Sequence, residues 1–231
     1  MENPNAVVLR NVWKTYQAGQ VSVPALRGVD LAIAPGEFLA LAGPSGSGKT
    51  TLLNIVGGLD QADAGEVWVA RQNLRALSRG QLAQLRLRHC GFVFQAYNLI
   101  PVLSALENAE FTLLLQGVPA RQRREKVERL FAEIGLSGLE DRRPAELSGG
   151  QQQRVAVARA MATDPALILA DEPTANLDSV TAAALVDVME QLNRTHGTTF
   201  LFSTHDPQVM GRARRVVRLR DGQVVGEERQ G

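Results

Sequence analysis

The chain has 231 residues, 45% of them apolar, which is enough for one large domain or for a core with a subdomain. Acidic and basic residues nearly cancel to a formal charge of +1, so the composition does not indicate a general nucleic-acid-binding surface. The single cysteine, Cys90, excludes an intrachain disulfide and fits a reducing compartment, and no apolar run approaches the ~20 residues of a membrane-spanning helix. Met1 to Asn5 are polar and show no signal-peptide pattern, so we expect a soluble chain whose membrane role requires a partner.

Strand patterns open the chain. Apolar residues from Val7 to Trp13 indicate a first strand, and a polar loop is expected from Gln17 to Ser22. A second strand, Val29 to Ile33, precedes Pro35-Gly36, whose turn chemistry predicts a hairpin with the strand that follows. Tyr16 lies near enough to stack on a base, although its spacing alone favours an ordinary half-buried strand aromatic.

The most specific motif is the glycine-rich run from Gly43 to Thr50. It fits the pattern GxxxxGK[ST] and stands between an apolar strand, Phe38 to Ala42, and a helical pattern that continues to Val56. This order places backbone N–H groups at a helix N-terminus, where an anion is favoured, and glycine lets a phosphate approach closely. We expect Lys49 to reach the β- and γ-phosphates of a nucleoside triphosphate and the Thr50 hydroxyl to ligate Mg²⁺. The predicted phosphate-binding residues are Gly43, Ser45, Gly46, Ser47, Gly48, Lys49, Thr50 and Thr51.

Two later strands end in polar side chains. The run Phe92 to Gln95 ends in an amide, which is suited to hold Mg²⁺ or water and equally suited to be a capped loop residue. The strand Thr198 to Phe202 leads to His205, which taken alone is more simply a satisfied structural histidine. His205 thus lies at the same kind of strand end as Gln95.

A pair of carboxylates follows another strand. The continuous apolar run Ala166 to Ala170 predicts a strand covered on both faces, and Asp171 and Glu172 follow it directly. In a chain with a P-loop, this pair indicates a division of labour. Asp171 is expected to hold the Mg²⁺ shell, and Glu172 is expected to accept a proton from the attacking water.

Helical patterns dominate between Tyr97 and Ala162. Leu106 to Gln116 is an unusually apolar helix, and Arg121 to Ile134 is amphipathic. Leu147 to Gln151, with the sequence LSGGQ, directly precedes another helix. Serine at this position is a common N-cap, yet two consecutive glycines go beyond what a cap needs, which indicates a second anion site.

Together these motifs resemble one family, the ATP-binding cassette (ABC) ATPases, over essentially the whole chain. The matches are Tyr16 with the adenine-stacking aromatic, Gly43 to Thr50 with Walker A, Gln95 with the Q-loop glutamine, Ser148, Gly149, Gly150 and Gln151 with the signature motif, Asp171 with Walker B, Glu172 with the catalytic glutamate, Asp178 with the D-loop and His205 with the switch histidine. The resemblance implies an α/β fold with a P-loop NTPase (RecA-like) core, an antiparallel β subdomain and an inserted α-helical subdomain. It also implies a single domain over residues 1–231, with the core and β subdomain in 1–95 and 163–231 and the helical subdomain in 96–162.

The resemblance further implies a mechanism that uses ATP and Mg²⁺. Two copies dimerise head to tail, and Ser148, with the N–H groups of Gly149 and Gly150, serves the γ-phosphate bound by the partner. Glu172 acts as the base and His205 holds the γ-phosphate and the water. The remaining roles implied by the family are catalytic for Lys49 and Gln95, nucleotide-binding for Tyr16, Gln151 and Asp178, and metal-binding for Thr50, Gln95 and Asp171.

Narrower features resemble the MacB/LolD-type branch, which acts in lipoprotein release or periplasmic efflux. They are Tyr16 to Gly19, Asn98 to Pro101 and Ala170 to Ser179, with a departure at Ala175, where that branch usually has glycine. The branch implies a separate integral membrane permease as partner, no nucleic acid, and a place in the cytoplasm at the inner face of the bacterial membrane, with membrane contact only through the permease.

Two alternatives come from other functional classes. An FtsE-like ATPase that regulates a transmembrane partner without moving a solute fits the same sequence. A soluble ABC ATPase of DNA repair or translation is disfavoured, because the chain has neither a long heptad insertion nor a second cassette. Tyr97 to Pro101 and the helix near Leu106 to Leu115 are expected either to contact the permease or simply to pack within the helical region.

Overall fold

A computed structural model describes residues 5–19 and 21–230, so the polar segment Met1 to Pro4, in which no signal peptide was expected, lies outside the described residues. The strands are Val7–Ala18 (β1), Val21–Ile33 (β2), Phe38–Ala42 (β3), Ala64–Val69 (β4), Gln72–Asn73 (β5), Cys90–Val93 (β6), Leu167–Ala170 (β7), Thr199–Thr204 (β8), Arg215–Arg220 (β9) and Gln223–Arg229 (β10). The α-helices are Lys49–Val56 (α1), Arg79–His89 (α2), Ala105–Leu115 (α3), Ala120–Glu133 (α4), Gly149–Met161 (α5), Ser179–His196 (α6) and Pro207–Met210 (α7).

The strands form two sheets. A four-stranded antiparallel sheet has the order β2-β1-β4-β5, and a six-stranded sheet has the order β10-β9-β3-β8-β7-β6. Within the larger sheet β9, β3, β8, β7 and β6 run parallel, and β10 is an antiparallel edge strand paired with β9. Parallel strands place all their carboxyl ends at one edge, so the loops after β3, β6, β7 and β8 are neighbours there.

Two of the predicted connections are wrong. β1 and β2 form one long hairpin in which Gln17 pairs with Ser22 and Ala18 with Val21, so both ends of the expected polar loop belong to the strands. The turn at Pro35-Gly36 joins two different sheets and makes no hairpin, because β2 lies in the antiparallel sheet and β3 in the parallel one. Burial explains the difference. β3 is buried at every residue and so belongs in a covered central sheet, whereas β2 is exposed along its first half and at alternate residues of its second half.

The parallel sheet separates two apolar cores. On β3, Phe38, Ala40 and Ala42 face a core shared with the helices α3, α4, α5 and α6, whereas Leu39 and Leu41 face a core shared with α1 and the antiparallel sheet. Successive side chains of a strand point to opposite faces, so a strand without polar residues fills both cores. The end of β3 is thereby held on both faces where the P-loop begins.

The helices predicted near Leu106 and Arg121 are confirmed as α3 and α4. Their apolar faces join α5 in the core that also covers one face of the parallel sheet. Because these helices share a core with the sheet, the division into residues 96–162 and residues 1–95 with 163–231 stays a proposal about subdomains. Within the described residues, no helix is both long enough and apolar enough to cross a bilayer.

Candidate functional site

Polar residues converge at the carboxyl edge of the parallel sheet. The loop after β3 leads into α1 at Lys49, and the loops after β6, β7 and β8 carry Gln95, Glu172 and His205 respectively. In open sheets of parallel strands, ligands bind outside the carboxyl ends of the strands.

The start of α1 has the features of a phosphate site. Gly48 is its N-cap at φ 103, and a Cβ there would lie 2.5 Å from the carbonyl oxygen of Ala25, so only glycine fits. No side chain caps α1, whereas serine or aspartate caps α2, α3, α5 and α6. The N–H groups of its first turn are therefore available to an anion. The buried Ser47 hydroxyl has no hydrogen-bond partner among the described residues, which also fits a site for a phosphate oxygen.

Lys49 brings a positive charge to this loop. Its ammonium is buried and donates to the carbonyl oxygens of Gly43, at 2.8 Å, and Pro44, at 3.0 Å. The nearest carboxylate oxygen with which it forms an ion pair is Oε1 of Glu172, at 3.8 Å. Carbonyl oxygens orient the ammonium but leave its charge largely unneutralised, so a phosphate anion is the fitting occupant of the loop.

Asp171 joins the P-loop helix to β8. Its Oδ2 accepts a hydrogen bond from the Thr50 hydroxyl at 2.8 Å, and its Oδ1 accepts one from the Ser203 hydroxyl at 2.7 Å. A hydroxyl and a carboxylate are hard oxygen donors that suit Mg²⁺. The described part of the chain contains no group of three or more histidine, cysteine or acidic side chains that could hold a metal by itself. The donor set therefore fits an ion held by one carboxylate, one hydroxyl and the oxygens of a phosphate.

Glu172 is held in a strained backbone conformation. Its φ of 46° lies in the left-handed region, which costs about 1–3 kcal/mol for a residue with a side chain. Its N–H donates to the Ser203 hydroxyl at 2.8 Å, and its Oε2 lies 2.9 Å from Nδ1 of His205. His205 is 67% exposed, whereas Glu172 is mostly covered, so the pair faces the open side of the site.

Sequence reasoning did not identify Ser203 as a site residue. Its hydroxyl serves both Asp171 and the backbone of Glu172, and it is fully buried in β8. The available signal was a hydroxyl that directly follows three apolar residues, Phe200 to Phe202, in a strand whose residues are all buried. Buried polar groups need partners, so such a residue has a specific contact to make.

The loop after β6 is held by its backbone carbonyls. Gln95 is exposed in a turn beyond the strand, and its carbonyl oxygen accepts a hydrogen bond from the Asn176 side chain at 3.0 Å. Arg159 of α5 donates to the carbonyl oxygens of Tyr97, at 2.9 Å, and Asn98, at 2.5 Å. Tyr97 and Asn98 have left-handed backbone conformations, with φ of 59° and 51° respectively. Burial lowers the pKa of Arg159. The guanidinium therefore fixes a strained loop next to Gln95.

The start of α5 is a capping box. The Ser148 hydroxyl accepts from the N–H of Gln151 at 3.3 Å, and Oε1 of Gln151 accepts from the N–H of Ser148 at 2.9 Å. The simple cap considered above is therefore present, and the side chain of Gln151 closes it. The exposed Ser148 hydroxyl keeps its proton to donate, and the N–H groups of Gly149 and Gly150 belong to a first helical turn that has no intrahelical acceptors. The side-chain contacts of Ser148 stay within α5 and do not reach this chain's own P-loop.

The two signature glycines also have a packing role inside this chain. A Cβ on Gly149 would lie 2.9 Å from the Tyr97 hydroxyl, and a Cβ on Gly150 would lie 2.4 Å from Cγ2 of Thr181 in α6. Any side chain at Gly150 would collide with its neighbour. Substitutions of these glycines therefore disturb local packing as well as any anion site.

Tyr16 lies beside α1. Its hydroxyl donates to Oδ2 of Asp60 at 2.6 Å, and the Lys14 ammonium lies 5.1 Å from the ring centroid. Burial and the bond to Asp60 raise the pKa of Tyr16, and the hydroxyl of Thr51 on α1 acts in the opposite direction. The ring is fixed near the P-loop helix and stays partly exposed, which fits the predicted stacking on a base.

The other predicted residues occupy loop or cap positions. Ser45 and Gly46 are exposed at the tip of the P-loop. Asp178 caps α6 by accepting from the N–H groups of Val180, at 3.1 Å, and Thr181, at 3.0 Å, and the hydrogen bonds from Thr181 lower its pKa. In the isolated chain its carboxylate is hydrogen-bonded to the first turn of α6, so a role in nucleotide binding stays a prediction.

Comparison with known proteins identifies relatives along nearly the whole chain. A family model described as ABC transporter matches residues 26–175. The ATP-binding protein LolD of a lipoprotein-releasing system, from Anaeromyxobacter dehalogenans, is 47% identical over 96% of this chain and 93% of its own length. The macrolide export ATP-binding/permease protein MacB of Syntrophobacter fumaroxidans is 47% identical over 96% of this chain but only 31% of its own length, so this chain spans less than a third of that relative.

A solved structure has the same fold over nearly its whole length. The dimeric structure of a post-hydrolysis state of the ATP-binding cassette MJ0796, bound to ADP and Pi, is 42% identical, with a TM-score of 0.89 over 97% of this chain and 99% of that one. The predicted α/β P-loop NTPase fold is thereby confirmed.

We predict that Ser203→Ala lowers the free energy of unfolding by about 1–3 kcal/mol, because a buried hydroxyl with two partners is removed and the Glu172 N–H loses its acceptor. Urea unfolding measures this change. Ser22→Ala is the control, since among the described residues its hydroxyl bonds only to the exposed Gln17, and a change within about 0.5 kcal/mol is expected. Equal effects of the two substitutions would show that Ser203 does not hold the loop.

Proposed function

Because this chain belongs to the ABC transporter family, as one of its ATP-hydrolysing cassettes, we propose that it works as a dimer that drives a separate membrane permease of the MacB/LolD type. The process would be lipoprotein release or periplasmic export, since the matched relatives are named for a lipoprotein-releasing system and for macrolide export. The place of work would be the cytoplasmic face of the bacterial membrane, with the permease supplying the membrane contact.

The observation that carries the proposal is the connected set of Lys49, Thr50, Asp171, Ser203 and Glu172 at one sheet edge. The uncapped start of α1 and the Lys49 ammonium would bind the β- and γ-phosphates of ATP. When Mg²⁺ is bound through Thr50, Asp171 and Gln95, it would neutralise charge on those phosphates. Catalysis then depends on fixed charges and dipoles that are aimed at the γ-phosphate.

Glu172 would accept the proton of the attacking water. Its backbone is fixed by Ser203, and its carboxylate is oriented on one side by His205, at 2.9 Å, and on the other by Lys49, at 3.8 Å. His205 is mostly exposed, so it can contact the γ-phosphate while its Nδ1 stays close to the carboxylate. The two residues would thus place the water and receive its proton in one step.

A second copy of the chain would complete each site. Ser148 is exposed and keeps a hydroxyl proton to donate, but its own side-chain contacts stay within α5. A head-to-tail partner would bring this helix start to the other chain's ATP, where it takes the place that an arginine finger has in other NTPases. The dimeric state of MJ0796 bound to ADP and Pi is in accord with this arrangement.

An apolar groove offers a docking place for the permease. It measures about 590 Å³ and lies between α2, β6, α3 and α5, with Leu87, Phe92, Phe94 and Leu115 among its lining residues. Asn98, whose carbonyl Arg159 holds, also lines it. A cytoplasmic segment of the permease, seated in this groove, would touch the loop that carries Gln95. This proposal favours the predicted coupling surface near Tyr97 to Pro101 and the end of α3 over simple internal packing.

We expect Glu172→Gln to abolish ATP turnover and to trap an ATP-bound dimer, because the base is lost while the groups that bind ATP remain. Size-exclusion chromatography with and without saturating ATP measures the trapped state, and the wild-type protein under the same conditions is the comparison. If the variant stays monomeric with saturating ATP, the two copies do not share their sites.

Ser148→Ala should lower the ATP turnover number by about 100-fold, the scale for removing one donor to a transition state. Ser78→Ala is a matched control, because Ser78 and Gln81 form the same capping box at the start of α2. Both variants should lose about 1 kcal/mol of stability from the lost cap. Steady-state ATP hydrolysis and thermal unfolding separate the two effects, and equal turnover in the two variants would argue against a role in the partner's site.

Leu115→Asp should weaken copurification with the proposed membrane permease by at least about 10-fold, since a charge in an apolar contact costs more than 1.4 kcal/mol. Leu115 and Val225 are both 59% exposed, and Val225 lies on the edge strand β10, so Val225→Asp is the control. ATP hydrolysis by the isolated chain should be unchanged in both. Retained copurification of the Leu115 variant would exclude the groove as the docking place.

A further inference from the structure

Gln153 is a fully buried amide in α5, at 0% exposure. Its Nε2 donates to the carbonyl oxygen of Phe94 at 3.3 Å and to that of Pro173 at 2.8 Å. Phe94 directly precedes Gln95, and Pro173 directly follows Glu172. One side-chain nitrogen of α5 therefore contacts both the loop after β6 and the loop after β7.

The orientation of this amide is determined by its two acceptors. A reversed amide would place Oε1 of Gln153 against the carbonyl oxygens of Phe94 and Pro173, which repel it. In the observed orientation Oε1 is buried without a hydrogen-bond partner among the described residues. An unpaired buried oxygen costs free energy that an apolar side chain of the same length would avoid. The favourable contribution of the amide is thus confined to the two loop carbonyls.

Both loops need such support, because they contain strained residues. Glu172, Tyr97 and Asn98 have positive φ angles, which persist only where neighbours determine them. Asn176 joins the same two loops directly, through the carbonyl oxygen of Gln95. Gln153 differs because it belongs to α5, the helix that Ser148 caps.

We propose that Gln153 is a positioning residue that couples the two ATP sites of the dimer. When Ser148 engages the ATP of the partner, a shift of α5 moves Phe94 and Pro173 through the Gln153 amide. Gln95 and Glu172 of the chain's own site then move with these carbonyls. The coupling rests on the proposed function, since it requires that the start of α5 serves the other chain's nucleotide.

The test is Gln153→Met, which keeps the length and volume of the side chain and removes both hydrogen bonds. ATP hydrolysis should show a fall of about 10-fold or more in kcat, because misplaced catalytic groups slow the chemical step. KM for ATP should change by less than about two-fold, since Lys49 and the start of α1, which bind the phosphates directly, are untouched. The Hill coefficient for ATP should fall from above 1 in the wild type to about 1, as expected when two sites lose their coupling.

Asn193→Leu is the matched control. Asn193 is also a buried amide, at 2% exposure, and its Nδ2 donates to the carbonyl oxygens of Gly36, at 3.0 Å, and Thr198, at 2.6 Å. These carbonyls precede β3 and β8, at the edge of the sheet opposite to the site. Asn193→Leu should lower the unfolding midpoint at least as much as Gln153→Met, yet keep kcat and the Hill coefficient.

A wild-type kcat and Hill coefficient in Gln153→Met, or equal losses in both variants, would overturn the proposal. Gln153→Asn provides a second variant in case the first does not fold, because it keeps an amide too short to reach both carbonyls, and the same loss of cooperativity is expected. Formation of the ATP-bound dimer by Glu172→Gln tests the proposed function separately. A trapped dimer together with an unaffected Gln153→Met would reject the coupling role alone.

Discussion

The carboxylate of Asp171 connects the parts on which the site depends. It accepts hydrogen bonds from Thr50 of α1 and from Ser203 of β8, and the Asp171 N–H donates to the carbonyl oxygen of Val93 at the end of β6. Hydrogen bonds to a charged group are worth about 1.5–3 kcal/mol each. One residue at the end of β7 thus joins the P-loop helix to strands on either side.

The contacts of Asp171 depend on strands that are packed on both faces. All residues of β3, β7 and β8 are buried, and their alternating side chains fill two separate cores. Rigid strand ends can support loops with strained backbones, such as the one at Glu172. The hydrogen bond from the Glu172 N–H to Ser203 shows how the cost is offset locally, by a side chain from the neighbouring strand.

Local patterns in the sequence located most of this arrangement. Lys49 and Thr50 stand in a motif whose neighbours are a strand and a helix, and Asp171 follows a continuous apolar run. The roles of all three residues could therefore be predicted from adjacent residues. Ser203 and Gln153 could not be assigned in this way, because their partners are 31 and 59 residues distant along the chain. The pairing of β2 with β1 was missed for a related reason. Its first half is exposed and mixed in polarity, so no periodic signal marks it, and only the hairpin pairing defines it.

Helix α5 ties the separate parts of the proposed mechanism together. Ser148 caps its N-terminus, Gln153 lies within it, and near its end Arg159 and Ala160 line the apolar groove. It packs tightly against the sheet, since a Cβ on Gly91 of β6 would lie 2.5 Å from the carbonyl oxygen of Ala160. Such close contact leaves little room for one end of the helix to move without the other. A permease segment in the groove and a nucleotide on the partner chain would therefore act on the same rigid element. The loops beside Gln95 and Glu172, held by Arg159 and Gln153, would respond to both.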